Sequence, residues 1–155
     1  MEIGMAKPQD LGGIISLLHQ VHDVHSAKRP DIFRRGNRKY TDGQILDIIA
    51  DEKTPVYVAR EGGKVLGYCF CILEQVEGEP CLVDRKSLYI DDLCVDVAER
   101  GKHVGTALYE YTLERAKELG CYHVTLNVWC LNEGAMRFYE KQGMTPLKIV
   151  MEQIL

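Results

Sequence analysis

Residues 65–73 read Val-Leu-Gly-Tyr-Cys-Phe-Cys-Ile-Leu, nine positions without one charge. A strand of this composition has no face to offer to water, so it belongs inside a sheet that is covered on both sides. Val56-Tyr57-Val58-Ala59 precedes it, and Glu61-Gly62-Gly63-Lys64 lies between the two. The pair therefore predicts an antiparallel hairpin closed by a tight glycine turn. Whatever else the chain does, it must supply two covering layers.

Amphipathic helices are available for that purpose. Leu11, Ile14, Ile15, Leu18 and Val21 recur at helical spacing over residues 8–26, with Pro8 near the first turn. Arg29-Pro30 interrupts this pattern, and the polar stretch 34–38 predicts a loop. Thr41-Asp42-Gly43-Gln44 then has the spacing of a capping box ahead of Ile45, Leu46, Ile48 and Ile49, so a second, short helix follows. Residues 87–95 predict a strand with two acids, Asp91 and Asp92, in its middle. A long helix spans about residues 103–119 and stops at Gly120, and residues 124–129 predict another strand. Asn132 can cap a helix through Ala135, Phe138 and Tyr139 to Gly143, and residues 147–155 alternate as a final strand should. The order mixes hairpins with crossovers, which is the signature of an α/β layer with helices on both faces.

A chain of 155 residues, 46% hydrophobic and 27% charged, fits one soluble globular domain. Its net charge of −4 has the wrong sign for a general nucleic-acid binder and mildly favours a cationic small molecule as partner. The amino terminus lacks a basic segment followed by an apolar run, and no stretch approaches a membrane span, so no membrane is expected and the protein is read as cytoplasmic. Six cysteines show no C-x-x-C pair and mostly sit in strand-like runs, predicting reduced, buried thiols rather than zinc or disulfides. His19, His22 and His25 recur every three residues, but no acid or cysteine completes a ligand set, and no metal is expected.

The most specific signal is Leu93-Cys94-Val95-Asp96 followed by Arg100-Gly101-Lys102-His103-Val104-Gly105-Thr106. It is a strand, a turn and a helix start. Free amides and the positive dipole end of a helix suit an anion such as a pyrophosphate, yet neither the P-loop nor the dinucleotide fingerprint is present. A second segment, Asn132-Glu133-Gly134-Ala135-Met136-Arg137-Phe138-Tyr139-Glu140-Lys141-Gln142-Gly143-Met144, follows the next strand. Together the two resemble the GNAT superfamily of acyl-CoA-dependent N-acyltransferases, in which Q/R-x-x-G-x-G/A follows the fourth strand and an N-x-x-A-x-x-F-Y-x-K-x-G-F-like segment the fifth. One departure is His103, which replaces the first motif glycine. At the start of a helix ordinary backbone angles are expected there, leaving the imidazole either near the phosphates or in solvent.

The resemblance implies a GNAT-like mixed, mostly antiparallel sheet of six to seven strands flanked by about four helices. It implies acetyl-CoA as co-substrate, with a bulge freeing backbone groups of Leu93, Cys94 and Val95 to line pantetheine. The amides of Arg100, Gly101, Lys102, His103, Val104, Gly105 and Thr106 would wrap the pyrophosphate. Asn132 would touch the pantetheine arm or act only as a helix cap, and Phe138 would pack nearby. Tyr139 resembles the tyrosine that protonates the departing thiolate, although a core aromatic would look the same. Asp91 and Asp92, on opposite faces of a regular strand, leave one acid to serve as base or to attract a cationic acceptor. His22, His25, Arg29, Asp31 and Trp129 are placed at the acceptor pocket because the first two helices border it in that fold. The expected reaction is direct attack of a primary amine, on a small molecule or peptide, in a ternary complex. A Cys94 acyl carrier and a non-catalytic acyl-CoA sensor are the alternatives, and the family allows a homodimer through the last strands.

Overall fold

The hairpin forms as the glycine turn predicts. Gly62 and Gly63 take left-handed φ values of 56° and 80°, the mirror-image turn that matches strand twist. The computed structural model describes residues 1–155 and places this hairpin at the centre of one five-stranded sheet. Its strands are β1 (Glu2–Met5), β2 (Val56–Glu61), β3 (Lys64–Val76), β4 (Arg85–Val95) and β5 (His123–Leu126), in the order β1-β2-β3-β4-β5. All neighbours are antiparallel except β4 and β5.

The helices are α1 (Leu11–Lys28), α2 (Asp42–Ala50), α3 (Val104–Glu118) and α4 (Glu133–Lys141). α1 and α2 cover one face, burying Ile14, Leu17, Leu18 and Ile45 against Val56, Val58, Tyr68 and Phe70. α3 and α4 cover the other, where Val104, Leu108 and Tyr109 meet Tyr57, Cys69, Cys71, Leu88 and Ile90. β3 is thus buried on both faces, as its uncharged run requires. Thr41 and Gln44 close the expected capping box, with the Gln44 amide donating to Thr41 Oγ1 at 3.2 Å and the Thr41 amide to Gln44 Oε1 at 2.9 Å.

Three expectations change. The sheet has five strands, not six or seven: β1 is a short edge strand that sequence patterning did not reveal, and residues 147–155 have no regular structure and no strand partner. The strand expected over residues 124–129 is His123–Leu126, because the backbone leaves β4 beyond that point. All six cysteines are free, but only Cys69, Cys71 and Cys94 are buried, while Cys81 and Cys130 lie exposed in loops. No helix is long and apolar enough to cross a membrane.

Candidate active site

β4 and β5 part company at one residue. They pair in parallel only from Ser87 to Ile90 against His123 to Leu126. Beyond Ile90, β4 keeps its partner β3 as far as Val95 and has none on the other side. Backbone polar groups of Leu93, Cys94 and Val95 that face the gap therefore have no strand partner, although Arg100 Nε donates to the Val95 carbonyl at 3.3 Å. The bulge in β4 does not release them, as the departure of β5 does that; it lies just before them. Phe70 pairs with Asp92 and Cys71 with Ile90, so Asp91 is the extra residue.

That bulge breaks the alternation which would have sent Asp91 and Asp92 to opposite faces. Asp92 accepts a 2.8 Å hydrogen bond from Tyr68, whose ring lies in the core beneath α1. Asp91 accepts from the Tyr40 hydroxyl and pairs with Lys39 Nζ at 2.8 Å, both from the connector leading into α2. The acids thus act as a pair on the α1–α2 side. Burial pushes the Asp92 carboxyl from its ordinary 3.8 up to about 6; Tyr68 and Lys39 oppose the shift and the Asp91 charge adds to it. Sequence reading missed Lys39, Tyr40 and Tyr68, since nothing local links a connector or a core tyrosine to the fourth strand. Cys94 is buried with its thiol directed at the Leu17 carbonyl, 3.6 Å away, and burial raises its pKa to about 12. A thiol so placed is a poor nucleophile.

The turn after β4 presents amides. Arg100 and Lys102 use theirs in long bonds to Val97 and Glu99, whereas Gly101, His103, Val104, Gly105 and Thr106 have no backbone partner. The N-terminus of α3 has no side-chain cap and no acid in its first turn. His103 departs from expectation: φ is 63° and ψ is 10°, left-handed, and it is the one non-glycine residue in the chain with positive φ. The missing motif glycine has left its backbone conformation behind. Gly101, also left-handed at φ 79°, completes the turn. A Cβ on Gly105 would meet Val95 at 3.4 Å and Phe138 at 3.6 Å, so this helix start is held close to both β4 and α4.

Asn132 caps α4, its Oδ1 accepting from the Ala135 amide at 3.3 Å. Phe138 and Tyr139 pack with Tyr109 in an aromatic group, ring centroids 5.1 to 6.2 Å apart. Desolvation holds the Tyr139 hydroxyl well above its ordinary pKa, with the Cys69 and Asp92 charges adding to the shift, so it stays protonated.

The proposed acceptor-pocket residues also converge. His25 stacks on Phe33 at 5.2 Å, Trp129 meets Phe33 edge-on at 5.2 Å, and His22 touches the same ring. Arg29 is held by Asp31 and by Glu152 from the C-terminal segment. Of these, His25, Arg29, Phe33 and Trp129 rim a small recess with Lys28, Leu131 and Asn132, while His22 and Asp31 stand outside its lining. Phe33 is the member sequence reading overlooked; it sits in a loop without periodicity. Burial lowers the His25 pKa, and the charges of His22, Lys39 and Lys28 lower it further.

The model of the acetyltransferase (GNAT) family matches residues 18–144, which include the open edge of β4, the amide turn and α4. The chain belongs to the GNAT family. This GNAT chain is 30% identical over 143 residues to glucosamine 6-phosphate N-acetyltransferase of Arabidopsis thaliana, covering 91% of the chain and 87% of that enzyme. The crystal structure of that plant enzyme superposes with a TM-score of 0.72 at 25% identity, covering 99% and 97% of the two chains. A tetramutant of the BH1408 protein from Bacillus halodurans superposes with a TM-score of 0.96 at 34% identity over the whole of both chains.

Proposed function

We propose that this GNAT chain moves an acetyl group from acetyl-CoA to a primary amine, with both substrates bound and no acyl-enzyme. The observation that carries the reading is the uncapped start of α3, whose free amides stand at the mouth of the gap between β4 and β5. Residues 100–106 would hold the diphosphate, chiefly through the amides of Gly101 and His103 to Thr106. The open edge of Leu93, Cys94 and Val95 would line pantetheine, with Asn132 beside it and Phe138 supporting Gly105. When bound, the thioester supplies an activated acetyl group. Asp92 takes the proton of the attacking ammonium, directly or through Asp91, and Tyr139 gives one to the departing sulfur. Much of the rate comes from holding the amine and the carbonyl in register.

His22, His25, Arg29, Asp31 and Trp129, with Phe33, form the acceptor pocket in this reading. Net charge favours a cationic acceptor, but local charge argues otherwise. Residues 28–39 hold Lys28, Arg29, Arg34, Arg35, Arg38 and Lys39 against Asp31 alone. An amine that also carries an anion fits better, and the substrate in the plant relative's name, glucosamine 6-phosphate, is of that kind. Exposed Cys81 and Cys130, neither in a disulfide, suit a reducing compartment and favour a cytoplasmic enzyme. The unpaired C-terminal segment supports a homodimer.

Calorimetric titration with acetyl-CoA, followed by thiol release over glucosamine 6-phosphate, a polyamine, an aminoglycoside and a peptide amino terminus, tests the reading. Binding and release with at least one amine are expected. Gly105→Glu should abolish binding, and Tyr139→Phe should lower turnover far more than affinity. Binding without release over the whole panel would make the protein a sensor, and no binding would remove the reading altogether.

A further inference from the structure

An amine already stands beside the two acids. Lys39 Nζ lies 2.8 Å from Asp91 Oδ1 and donates to the Asp91 carbonyl at 3.3 Å. Asp91 is the bulge residue, immediately past the last pair of β4 with β5, so this ammonium sits where the gap for the acyl donor opens. Lys39 is not buried as a structural ion. Its side chain is 44% exposed, on a connector without regular structure between α1 and α2, and its other contact is the face of Tyr40 at 5.5 Å. Other lysines with recorded partners are engaged elsewhere. Lys28 caps the Leu131 carbonyl, Lys86 the Leu119 carbonyl, Lys64 pairs with Asp96, and Lys102 with Glu99.

We propose that Lys39 is an internal acceptor: with acetyl-CoA bound and no other amine present, the chain acetylates its own Lys39 Nζ. This rests on the transferase reading above. The ammonium gives one proton to the Asp91–Asp92 pair and so to solvent, the nitrogen lone pair forms a C–N bond to the thioester carbonyl, and the nitrogen then loses a second proton by the same route. The C–S bond breaks, and the departing thiolate takes a proton from Tyr139, which is replenished from solvent. The products are Nε-acetyl-lysine and CoA. Acetylation removes the positive charge that pairs with Asp91, so Lys39 leaves the acid pair, and a true acceptor competes for the same carboxylates.

Purified full-length protein is incubated with acetyl-CoA alone, and its intact mass and tryptic peptides are followed with time. The expected result is one acetyl group per chain on the peptide containing Lys39. The rate per chain should not change when the protein is diluted tenfold, as an intramolecular step requires, and a turned-over amine from the panel should slow it. Lys39→Arg, which keeps the ion pair, should lose the modification with an unchanged melting temperature. If the parent acetylates an amine from the panel while its own mass stays constant, Lys39 is no acceptor and the transferase reading stands. Acetyl groups scattered over several lysines, and equally so in heat-denatured protein, also overturn the proposal by showing uncatalysed chemistry. Failure to bind acetyl-CoA removes the transferase reading, and this proposal with it.

Discussion

The burial that would suit Asp92 to the proposed role of proton acceptor also makes it a burden on the fold. Its folded pKa lies at about 6 against an ordinary 3.8. A raised carboxyl favours the folded state only while protonated. The contribution is complete below about 3.8, fades as pH rises through the window to about 6, and is gone above it, a swing of at most ~3 kcal/mol. Asp92→Asn keeps an oxygen for the Tyr68 hydroxyl and removes the charge. At pH 8 this variant should melt at or above the parent's temperature, while turnover falls by about 10²–10⁴-fold and the rise of rate near pH 6 disappears. Retention of that limb would assign the proton transfer elsewhere. His103 bears a different strain. Left-handed backbone costs a non-glycine residue roughly 1–2 kcal/mol, although histidine tolerates it better than most. His103→Gly should therefore raise stability by about 0.5–1 kcal/mol, or roughly 1–4 °C, and leave acetyl-CoA affinity within about threefold. A tenfold weaker titration would show that the imidazole itself holds the ligand.

At the scale of elements, α1 contains a matched pair of glycines that separates helix propensity from packing. Gly12 faces open space, whereas a Cβ on Gly13 would stand 2.6 Å from Cβ of Val65 on β3. Gly12→Ala should stabilise by about 0.5–1 kcal/mol, because alanine loses less backbone entropy in a helix. Gly13→Ala gains the same term and loses more, a net cost of about 1–3 kcal/mol from forcing α1 off the sheet. Thermal melts of the two variants check this, and a stabilised Gly13→Ala would mean that α1 packs differently. The same contrast between local and long-range information explains what the sequence made legible. The glycine hairpin, the Thr41 capping box, the helices and the turn after β4 are written in contiguous residues, so they could be read. β1 could not, since Glu2-Ile3-Gly4-Met5 has no pattern of its own and exists through its pairing with Val58 and its neighbours on β2. The position of the bulge depends on counting residues against β3, and the clasp of Lys39 and Tyr40 on Asp91 joins positions about fifty residues apart. His103 looked like an ordinary helix start because the glycine that would betray a left-handed angle is missing.

On the scale of the whole molecule, the least settled part is the C-terminal segment. Leu147, Ile149, Val150, Met151, Ile154 and Leu155 are each 73% exposed or more, a run of apolar surface that a lone soluble chain rarely tolerates. Its side-chain tie is Glu152 to Arg29, a pair at the surface that solvent screens. Meanwhile β5 ends the sheet with an open edge. A TM-score of 0.96 over the full length of the BH1408 tetramutant requires the segment to follow much the same course there. An exposed apolar tail and an unpaired edge in one chain are complementary when two copies meet and each tail forms a strand on its partner's sheet. Sedimentation of the full chain at micromolar concentration should accordingly give a dimer, and truncation after Thr145 a monomer. The truncated chain should keep its own core, because the residues removed bury nothing within it, but β5 would lose the partner's strand beside it and with it the outer support of one wall of the proposed acyl-donor gap. Weaker acetyl-CoA binding by the monomer is then expected at unchanged far-UV circular dichroism, and a full-length chain that sediments as a monomer would dismiss the pairing.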